Sequence, residues 1–423
     1  MTRDALETPA PRAAADPDLP RESRAGAVVD RADPLHEDLL EVNIGPSHPA
    51  MHGTFRIKAW LDGETIVHAV PEIGYLHRCF EKMGETHPYV QVIPYTDRLN
   101  YLSPFLNNVG YCLTIEKLLG IEIPVRAQLV RVILGELSRI MDHLVCIGTN
   151  LVDLGALTNF WYMFQGREEI YTVTERVSGA RMMVSYARPG GLMRDTYPGF
   201  EDDVRALVRS LPRYVDDVDR LITGNRIFID RTRGVSAITA ADAIDWGWTG
   251  PCLRAAGVPY DIRKAAPYHG YETFDFEVPV GRDGDVYDRY LVRMEEMRQS
   301  LRIVAQATER LEPGPVLVDD PRVAYPAKTD VYNTIEGMVN HFKLTFEGLK
   351  PPAGEVYGYT EGANGELGFY VVSDGTGRPY RLHCRGPCFA IYQNIGKLLE
   401  GRLISDIVAI IGSLNIVAGE LER

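Results

Sequence analysis

Two histidines near the start of the chain stand where they could exchange protons with a bound molecule. His48 and His52 lie four residues apart in the run 43–53, which also contains Pro46 and Pro49. Two histidines at this spacing would share one face of a helix and suggest a metal pair. The prolines disfavour a helix, because they lack a backbone donor and push the preceding residue to extended geometry. The run therefore predicts a stiff loop between two short strands with both imidazoles at its tip, the alternative being an ordinary hairpin with solvated histidines.

The composition limits the kinds of partner that the chain can have. Its 423 residues are 45% hydrophobic, enough for a large core without separable domains. A formal net charge of −13 argues against nucleic acid or an anionic lipid surface as the main partner. The longest uncharged apolar runs, such as 407–411, fall far short of the roughly 20 residues that span a bilayer. We therefore expect any membrane contact to be made through partners.

Cysteine spacing and short motifs exclude several standard chemistries. The six cysteines contain no CxxC pair, which is typical of free thiols in a reducing compartment. Cys384 and Cys388 are the closest pair, but two thiols do not complete a four-ligand site, so we expect no metal bound by this chain. The sequence also has no P-loop, dinucleotide-binding, HExxH or GxSxG motif.

The distribution of apolar residues divides the chain into a tail and one α+β domain. Residues 1–38 have few large apolar residues and predict a disordered tail. In the domain at 39–423, alternation predicts short strands at 39–70, mainly helix at 71–350, and strands followed by a terminal helix at 351–423. The expected fold is a central helical bundle with small antiparallel sheets contributed by both terminal regions.

The clearest predicted helix spans 126–150 and extends toward Asp153. One stripe, from Val130 to Leu151, is apolar and recurs every three or four residues, as in a core-facing helix. A second stripe has Arg131 and Ser138 on its flanks, which we expect to be solvated. Its acidic, basic and amide members either face solvent as well or line a polar path through the bundle: Glu136, Arg139, His143, Asn150 and Asp153. Further helices are predicted at 103–119, 158–186, 202–223 and 286–311, the last of them exposed and with Glu295 and Arg298 paired.

Several ordered motifs carry a family resemblance. They are the histidine loop, the run 76–82 (LHRCFEK), the run 93–101 (IPYTDRLNY), the run 151–156 (LVDLGA), and later runs at 175–181, 188–191 and 412–420. Together they resemble the D subunit family of proton-pumping NADH:quinone oxidoreductase (complex I), which is kin to the large subunit of nickel-iron hydrogenases. The resemblance covers about residues 39–423.

The resemblance implies a fold, a reaction and a set of partners. The fold would be hydrogenase-large-subunit-like, and the chain would form the quinone site with the cluster-bearing B subunit, whose 4Fe-4S cluster delivers electrons while the complex translocates protons. The chain itself would bind no cofactor, and NAD(H) would be used elsewhere in the complex. The C subunit and the membrane-embedded H subunit would be further partners. The location would be peripheral, on the cytoplasmic side of the bacterial inner membrane.

The resemblance also assigns roles to individual residues. The family places its quinone headgroup between residues matching His52 and Tyr101, which suits a reaction that adds two protons to carbonyl oxygens. A carboxylate matching Asp153 interacts with that histidine and would raise the proton affinity of its imidazole. His48 would belong to the same quinone site. Arg78 and Arg98 match arginines beside the cluster of the neighbouring subunit, although surface ion pairing is the commoner role of an arginine.

The chain departs from the family pattern at three positions. Asn100 stands where the family usually has Asp, and Cys79 where it has Gly. Met183 stands where many relatives carry a histidine that links reduction of the cluster to proton uptake. A cluster potential that does not change with pH, and a low-potential quinone such as menaquinone, would fit this departure.

Three alternative functions stay open on the sequence. Hydrogenase activity is disfavoured, because the four thiolates that would hold nickel and iron have no counterparts at the two ends of the fold. A scaffold that only joins the iron–sulfur arm to the membrane arm is possible, although it would not need His52, Tyr101 and Asp153. A relative fed by ferredoxin instead of NADH is the third alternative.

Overall fold

The structure, a computed structural model, describes residues 39–423. The first elements of this part of the chain form an antiparallel three-stranded sheet. Its strands are β1 (Leu40–Ile44), β2 (Arg56–Asp62) and β3 (Thr65–Glu72), in that order. Alternate residues of β2 face the core, as the alternating pattern predicts. The disordered tail predicted at 1–38 lies outside the described residues.

The middle of the chain is helical, as predicted. The predicted helix at 158–186 is too long, because its helix ends at Ser178 and the next residue, Gly179, has a φ of 88°. A short hairpin follows, with two strands of two residues each, β4 (Ala187–Arg188) and β5 (Gly191–Leu192). The helices are α1 (Phe80–Thr86), α2 (Tyr89–Thr96), α3 (Pro104–Leu119), α4 (Val125–Asp153), α5 (Leu157–Ser178), α6 (Phe200–Ile222), α7 (Arg226–Thr232), α8 (Ala240–Asp245), α9 (Gly250–Ala255), α10 (Ile262–Ala265), α11 (Val286–Glu309), α12 (Lys328–Asn333) and α13 (Ile335–Phe346).

Helix α4 is the centre of the bundle and packs against α3, α5 and α11. Its apolar stripe is buried throughout, which confirms the periodicity argument. The second, polar stripe is buried as well except at its end: Glu136, Arg139 and His143 are all 0% exposed, and only Asp153 is half-buried. Each finds partners on other elements, among them Arg263 for Glu136 (3.0 Å) and Glu296 for His143 (2.8 Å). Of the two interpretations of this stripe, the solvated face is wrong.

Arg131 and Ser138, which flank the polar stripe of α4, are also buried. Arg131 is 1% exposed, and its guanidinium makes a bidentate ion pair with Glu116 at 2.6 and 2.9 Å. A paired guanidinium can be buried because the carboxylate and nearby carbonyl oxygens satisfy its donors. Ser138 is 0% exposed, small enough to sit inside the bundle without a hydrogen-bond partner. The prediction that both residues are solvated is wrong.

Helix α11 is also more deeply placed than its charges suggest. The predicted pair of Glu295 and Arg298 is present at 3.5 Å. The prediction that the helix is exposed is wrong, because Arg289, Arg293 and Glu296 are at most 1% exposed. Arg293, for example, donates to the Ser413 carbonyl oxygen at 2.6 Å, so a buried partner far away in sequence replaces water.

The last part of the chain forms a second three-stranded antiparallel sheet and four short helices. The strands are β6 (Gly354–Gly362), β7 (Gly365–Ser373) and β8 (Arg381–Arg385), as predicted for the region 354–385. Helix α3 lies so close to this sheet that a Cβ on Gly358 would come within 2.8 Å of the Thr114 Cα. The helices are α14 (Pro387–Gln393), α15 (Ile395–Leu399), α16 (Ile407–Leu414) and α17 (Ala418–Leu421).

The predicted α+β class, a helical bundle with small antiparallel sheets from both ends, is confirmed for the described residues. Within residues 39–423, no helix combines the length and the apolar character needed to cross a bilayer. Helix α16 packs against α4 and α11 of the bundle and brings the last residues of the chain to the end of α4.

Candidate functional site

The histidine loop is held rigidly between β1 and β2. A single 3-10 turn at Pro49–Met51 replaces the longer helix that the prolines exclude, as predicted. His48 caps this turn, its Nδ1 accepting the Ala50 N–H at 3.1 Å, and Met51 is completely buried. His52 ends the turn with a φ of 54°, a left-handed conformation that turns the chain sharply. The loop therefore has a fixed core-facing side and presents His52 on the other side.

His52, Tyr101 and Asp153, which come from three distant parts of the chain, line one cavity of about 290 Å³. The volume lies near the lower end of the range for small-molecule sites, about 300 to 1,000 Å³. Its other lining residues come from the histidine loop, the segment that carries Tyr101, α4, α5 and the segment before α17: Pro49, Leu102, Val145, Thr149, Val152, Phe160, Asn415, Ile416 and Val417. The cavity is thus mainly apolar with a few convergent polar groups.

Tyr101 stands on a tight turn, in which Ser103 N–H donates to the Asn100 carbonyl oxygen at 3.2 Å. Burial raises the pKa of Tyr101, and the nearby Cys388 and Asp142 raise it further, while Arg78 opposes them. The hydroxyl therefore keeps its proton at neutral pH. No described residue forms a hydrogen bond with this hydroxyl, which leaves it available to a bound molecule.

His52 lies at the opening of the cavity, where its ring contacts Phe55 with centroids 5.4 Å apart. The surrounding protein lowers the pKa of His52 below its usual value, because desolvation disfavours the charged imidazolium. The side chain nevertheless keeps solvent contact. At neutral pH the ring is therefore neutral and offers one N–H and one acceptor nitrogen.

Asp153 is the last residue of α4 and is half-buried at the cavity. Burial raises its pKa, and the charge of His48 opposes this effect. Among the described residues, no hydrogen bond joins Asp153 to His52, and desolvation is what lowers the pKa of His52. The histidine whose charge lowers the pKa of Asp153 is His48. That Asp153 raises the proton affinity of His52 stays a prediction.

Arg78 and Arg98 lie behind the turn that carries Tyr101 and do not line the cavity. Arg78 donates to the Arg98 carbonyl oxygen at 2.8 Å and to the Gly419 carbonyl oxygen at 3.4 Å. Burial and the neighbouring charge of Arg98 lower the pKa of Arg78. Neither guanidinium forms an ion pair with a described carboxylate, so the surface ion pairing considered above does not occur within residues 39–423. Arg98 is exposed and can face a neighbouring subunit.

Two residues of the site were missed by the sequence reasoning. Asn415, in the matched run 412–420, lines the cavity, and Asp142 lies directly behind it with its carboxylate 2.6 Å from the Asn415 amide. Asp142 belongs to neither of the two stripes of α4, so helical periodicity alone gives it no special place. Its contacts join positions 100, 142 and 415, which only the folded chain brings together.

Comparison with known proteins assigns the family. A sequence model described as the 49 kDa subunit of the respiratory-chain NADH dehydrogenase matches residues 153–423. A protein of Bdellovibrio bacteriovorus, named as the C/D subunit of NADH-quinone oxidoreductase, is 56% identical over 391 residues, 92% of this chain and 70% of that protein. The D subunit of Geobacter metallireducens and the D 1 subunit of Sorangium cellulosum are 51% and 52% identical, over 91% and 92% of this chain and 99% and 96% of theirs.

These matches define first a class and then a family. The chain is a hydrogenase-large-subunit-like α+β protein. It belongs to the 49 kDa subunit family of the respiratory-chain NADH dehydrogenase, the family of the complex I D subunit. It is thus one subunit of an oxidoreductase complex and has other complex I subunits as partners, as the sequence resemblance predicted.

Proposed function

We propose that this chain forms, with the cluster-bearing B subunit, the site at which complex I reduces quinone. The observation that carries the proposal is the convergence of His52, Tyr101 and Asp153 on one mainly apolar cavity. Such a cavity suits a quinone headgroup, which has an apolar ring and two carbonyl oxygens. The oxygens need donors that can also surrender protons as negative charge develops.

The protonation states of the two donors suit this reaction. Quinone accepts two electrons and two protons, and one proton is added to each carbonyl oxygen. Tyr101 holds a proton at neutral pH and donates it to one oxygen. The neutral His52 ring hydrogen-bonds the other oxygen through its N–H, and as this proton passes to the oxygen the second ring nitrogen takes up a proton from solvent, so the ring stays neutral. The electrons would come from the 4Fe-4S cluster of the neighbouring subunit, close to Arg78 and Arg98.

The two arginines would act on that cluster electrostatically. Two guanidinium groups without described carboxylate partners leave positive charge at this face, which favours an additional electron on a neighbouring cluster. The C subunit is a further proposed partner, because the Bdellovibrio relative carries both subunit names in one chain. Contact with the membrane would be made through the H subunit on the cytoplasmic side.

The first test is Tyr101→Phe in the native host, assayed in isolated membranes. We expect NADH oxidation with a short-chain quinone to fall at least about tenfold, because one proton donor is lost, while ferricyanide reduction stays intact. Tyr95→Phe is the matched control, since this tyrosine lies in the same run but outside the cavity. Retention of both rates in Tyr101→Phe would favour a scaffold. If the wild type shows neither rate, the donor is not NADH, and a ferredoxin-fed relative becomes the better account.

We further propose that Asp153 couples quinone reduction to proton translocation. When protons leave the site, the half-buried carboxylate would change its charge or its interaction with His48, whose charge acts on it in this structure. Asp153→Asn removes this charge, so turnover or proton pumping should fall at least about tenfold, measured as quinone rate and as acidification by inverted vesicles. Asp62→Asn, an exposed carboxylate at the end of β2, is the control. Normal turnover together with normal pumping in Asp153→Asn would refute the coupling role.

A further inference from the structure

A completely buried carboxylate that the proposed reaction does not use lies behind the wall of the quinone cavity. Asp142, on α4, is 0% exposed. Its Oδ2 accepts Asn100 Nδ2 and Ser103 Oγ, both at 2.7 Å, and its Oδ1 accepts Asn415 Nδ2 at 2.6 Å. No described lysine, arginine or histidine forms an ion pair with it. A buried anion without a cation depends on its hydrogen-bond donors, so these three contacts are strong constraints.

The first two contacts fix the turn that carries Tyr101. Asn100 and Ser103 are the first and last residues of this turn, and one oxygen of Asp142 binds both of them. Asn100 is held on its other side as well, because its Oδ1 accepts the Leu102 N–H at 3.2 Å. The direction of the Tyr101 side chain therefore depends on a carboxylate that does not touch the cavity.

The third contact fixes a different wall of the cavity. Asn415 lies between α16 and α17, has a φ of 55°, and lines the cavity together with Ile416 and Val417. Its amide also donates to Asn364 Oδ1 at 2.6 Å, which ties this wall to the loop between β6 and β7. The two oxygens of Asp142 thus join two walls that lie about 300 residues apart in the sequence.

We propose that Asp142 is a positioning residue for quinone reduction, its carboxylate holding the Tyr101 turn and the Asn415 wall at the separation that the headgroup requires. The inference rests on the proposed function. The negative charge of Asp142 also helps Tyr101 to keep its proton until the quinone takes it.

The donor and the charged acceptor of the contact between Asn100 and Asp142 can be exchanged by mutation. Asn100 supplies the donor and Asp142 the charged acceptor, 2.7 Å apart. Asn100→Asp alone would place two carboxylates at this distance, and Asp142→Asn alone would leave an amide facing three donors. The double change Asn100→Asp with Asp142→Asn restores one negative charge and one donor–acceptor pair at the same place. A role in positioning therefore predicts rescue, which a general loss of stability does not.

The experiment measures quinone and ferricyanide rates in membranes that carry the whole complex. We expect Asp142→Asn and Asn100→Asp each to lower the quinone rate about tenfold to a hundredfold, because small displacements of a reacting group have effects of this size. The double variant should recover to within about threefold of wild type, and the ferricyanide rate should stay unchanged throughout. Ser138→Ala is the matched control, since this buried serine on the same helix has no hydrogen-bond partner.

Failure of the inference about Asp142 can be distinguished from failure of the proposed function by assaying Tyr101→Phe in parallel. If Tyr101→Phe loses quinone reduction while Asp142→Asn retains it, or the double variant is no better than Asp142→Asn, only the inference about Asp142 is overturned. If Tyr101→Phe retains quinone reduction, both fall. Should Asp142→Asn prevent assembly, Ser103→Ala decides the question, because it removes one donor and keeps the charge: a loss of about threefold to tenfold supports the inference, and an unchanged rate overturns it.

Discussion

At the scale of single residues, the site is built from groups whose protonation is shifted by burial more than by ion pairing. His52 is kept neutral and Tyr101 protonated, in both cases mainly because the charged form has lost water. The half-buried Asp153 shows the same effect, since burial raises its pKa more than the charge of His48 lowers it. A cavity of neutral donors suits a substrate that is itself neutral before it is reduced.

Glu420, on α17, is the residue whose protonation we expect to be visible in a stability measurement. It is 2% exposed, and burial raises its pKa from 4.5 to about 7. Between these values the folded protein holds a proton that the unfolded chain releases, so stability should fall as pH rises from about 4.5 to 7, by up to about 3 kcal/mol. Glu420→Gln cannot titrate and should lose this component.

The measurement is the rate of thermal inactivation of the solubilised complex across this pH window. The difference between wild type and Glu420→Gln should change most between about pH 5 and 7. Glu312→Gln, an exposed carboxylate, is the control and should follow the wild type at every pH. Parallel profiles for wild type and Glu420→Gln would show that Glu420 is already charged in the folded protein.

At the scale of the elements, the sequence predicts what lies within an element and misses what joins distant ones. The apolar stripe of α4 could be predicted because helical periodicity is local. The polar stripe could not be placed, because Glu136 and His143 are buried only by virtue of Arg263 and Glu296 on later elements. The exposed position predicted for α11 failed for the same reason. Counting charges along one helix does not reveal whether those charges find buried partners.

The site shows the same division. The rigid form of the histidine loop follows from its prolines, but nothing in the spacing of His52, Tyr101 and Asp153 places them in one cavity. That grouping required a resemblance to a family. The effect of the His48 charge on Asp153, and the contact between Asp142 and Asn415, could be seen only in the folded structure.

The contact between α17 and the Tyr101 turn makes a prediction at this scale. A Cβ added to Gly419 would lie 2.5 Å from the Arg98 carbonyl oxygen, 2.6 Å from that of Leu99 and 3.3 Å from Tyr101 Cδ1. Gly419→Ala should therefore push the turn and α17 apart, with a loss of about 1–3 kcal/mol in stability. Because the displaced turn carries Tyr101, the quinone rate should fall at least about tenfold.

The assay again compares quinone with ferricyanide reduction in membranes. Gly224→Ala is the matched control, since nothing lies within 4 Å of the Cβ that it would add. A quinone rate for Gly419→Ala equal to that of Gly224→Ala would mean that the turn accommodates the methyl group, and that the approach of α17 does not determine the position of Tyr101.

At the scale of the whole molecule, residues from the beginning, the middle and the end of the described part of the chain line one cavity. The loop between β1 and β2 supplies His52, α4 supplies Asp153, and the segment between α16 and α17 closes another wall. The arginines lie on the other side of the Tyr101 turn. In the proposed function, the cavity-lining residues would donate protons, while the two arginines would face the electron donor in another subunit.

The residue at position 183 makes a prediction about the whole complex that can be measured. The family resemblance implies that Met183 stands where many relatives carry a histidine whose protonation follows reduction of the cluster, and a thioether cannot titrate. The potential of the cluster in the neighbouring subunit should therefore stay constant between about pH 6 and 8 in the wild type, where an unperturbed histidine titrates. Met183→His should introduce a slope approaching about 59 mV per pH unit, the value for one proton per electron.

Redox titration followed by electron paramagnetic resonance measures this potential, and Met182→His is the control, because the Met182 sulfur contacts Arg167. A sloping potential in the wild type would show that another group takes up the proton, and Met183 would then say nothing about which quinone the complex reduces.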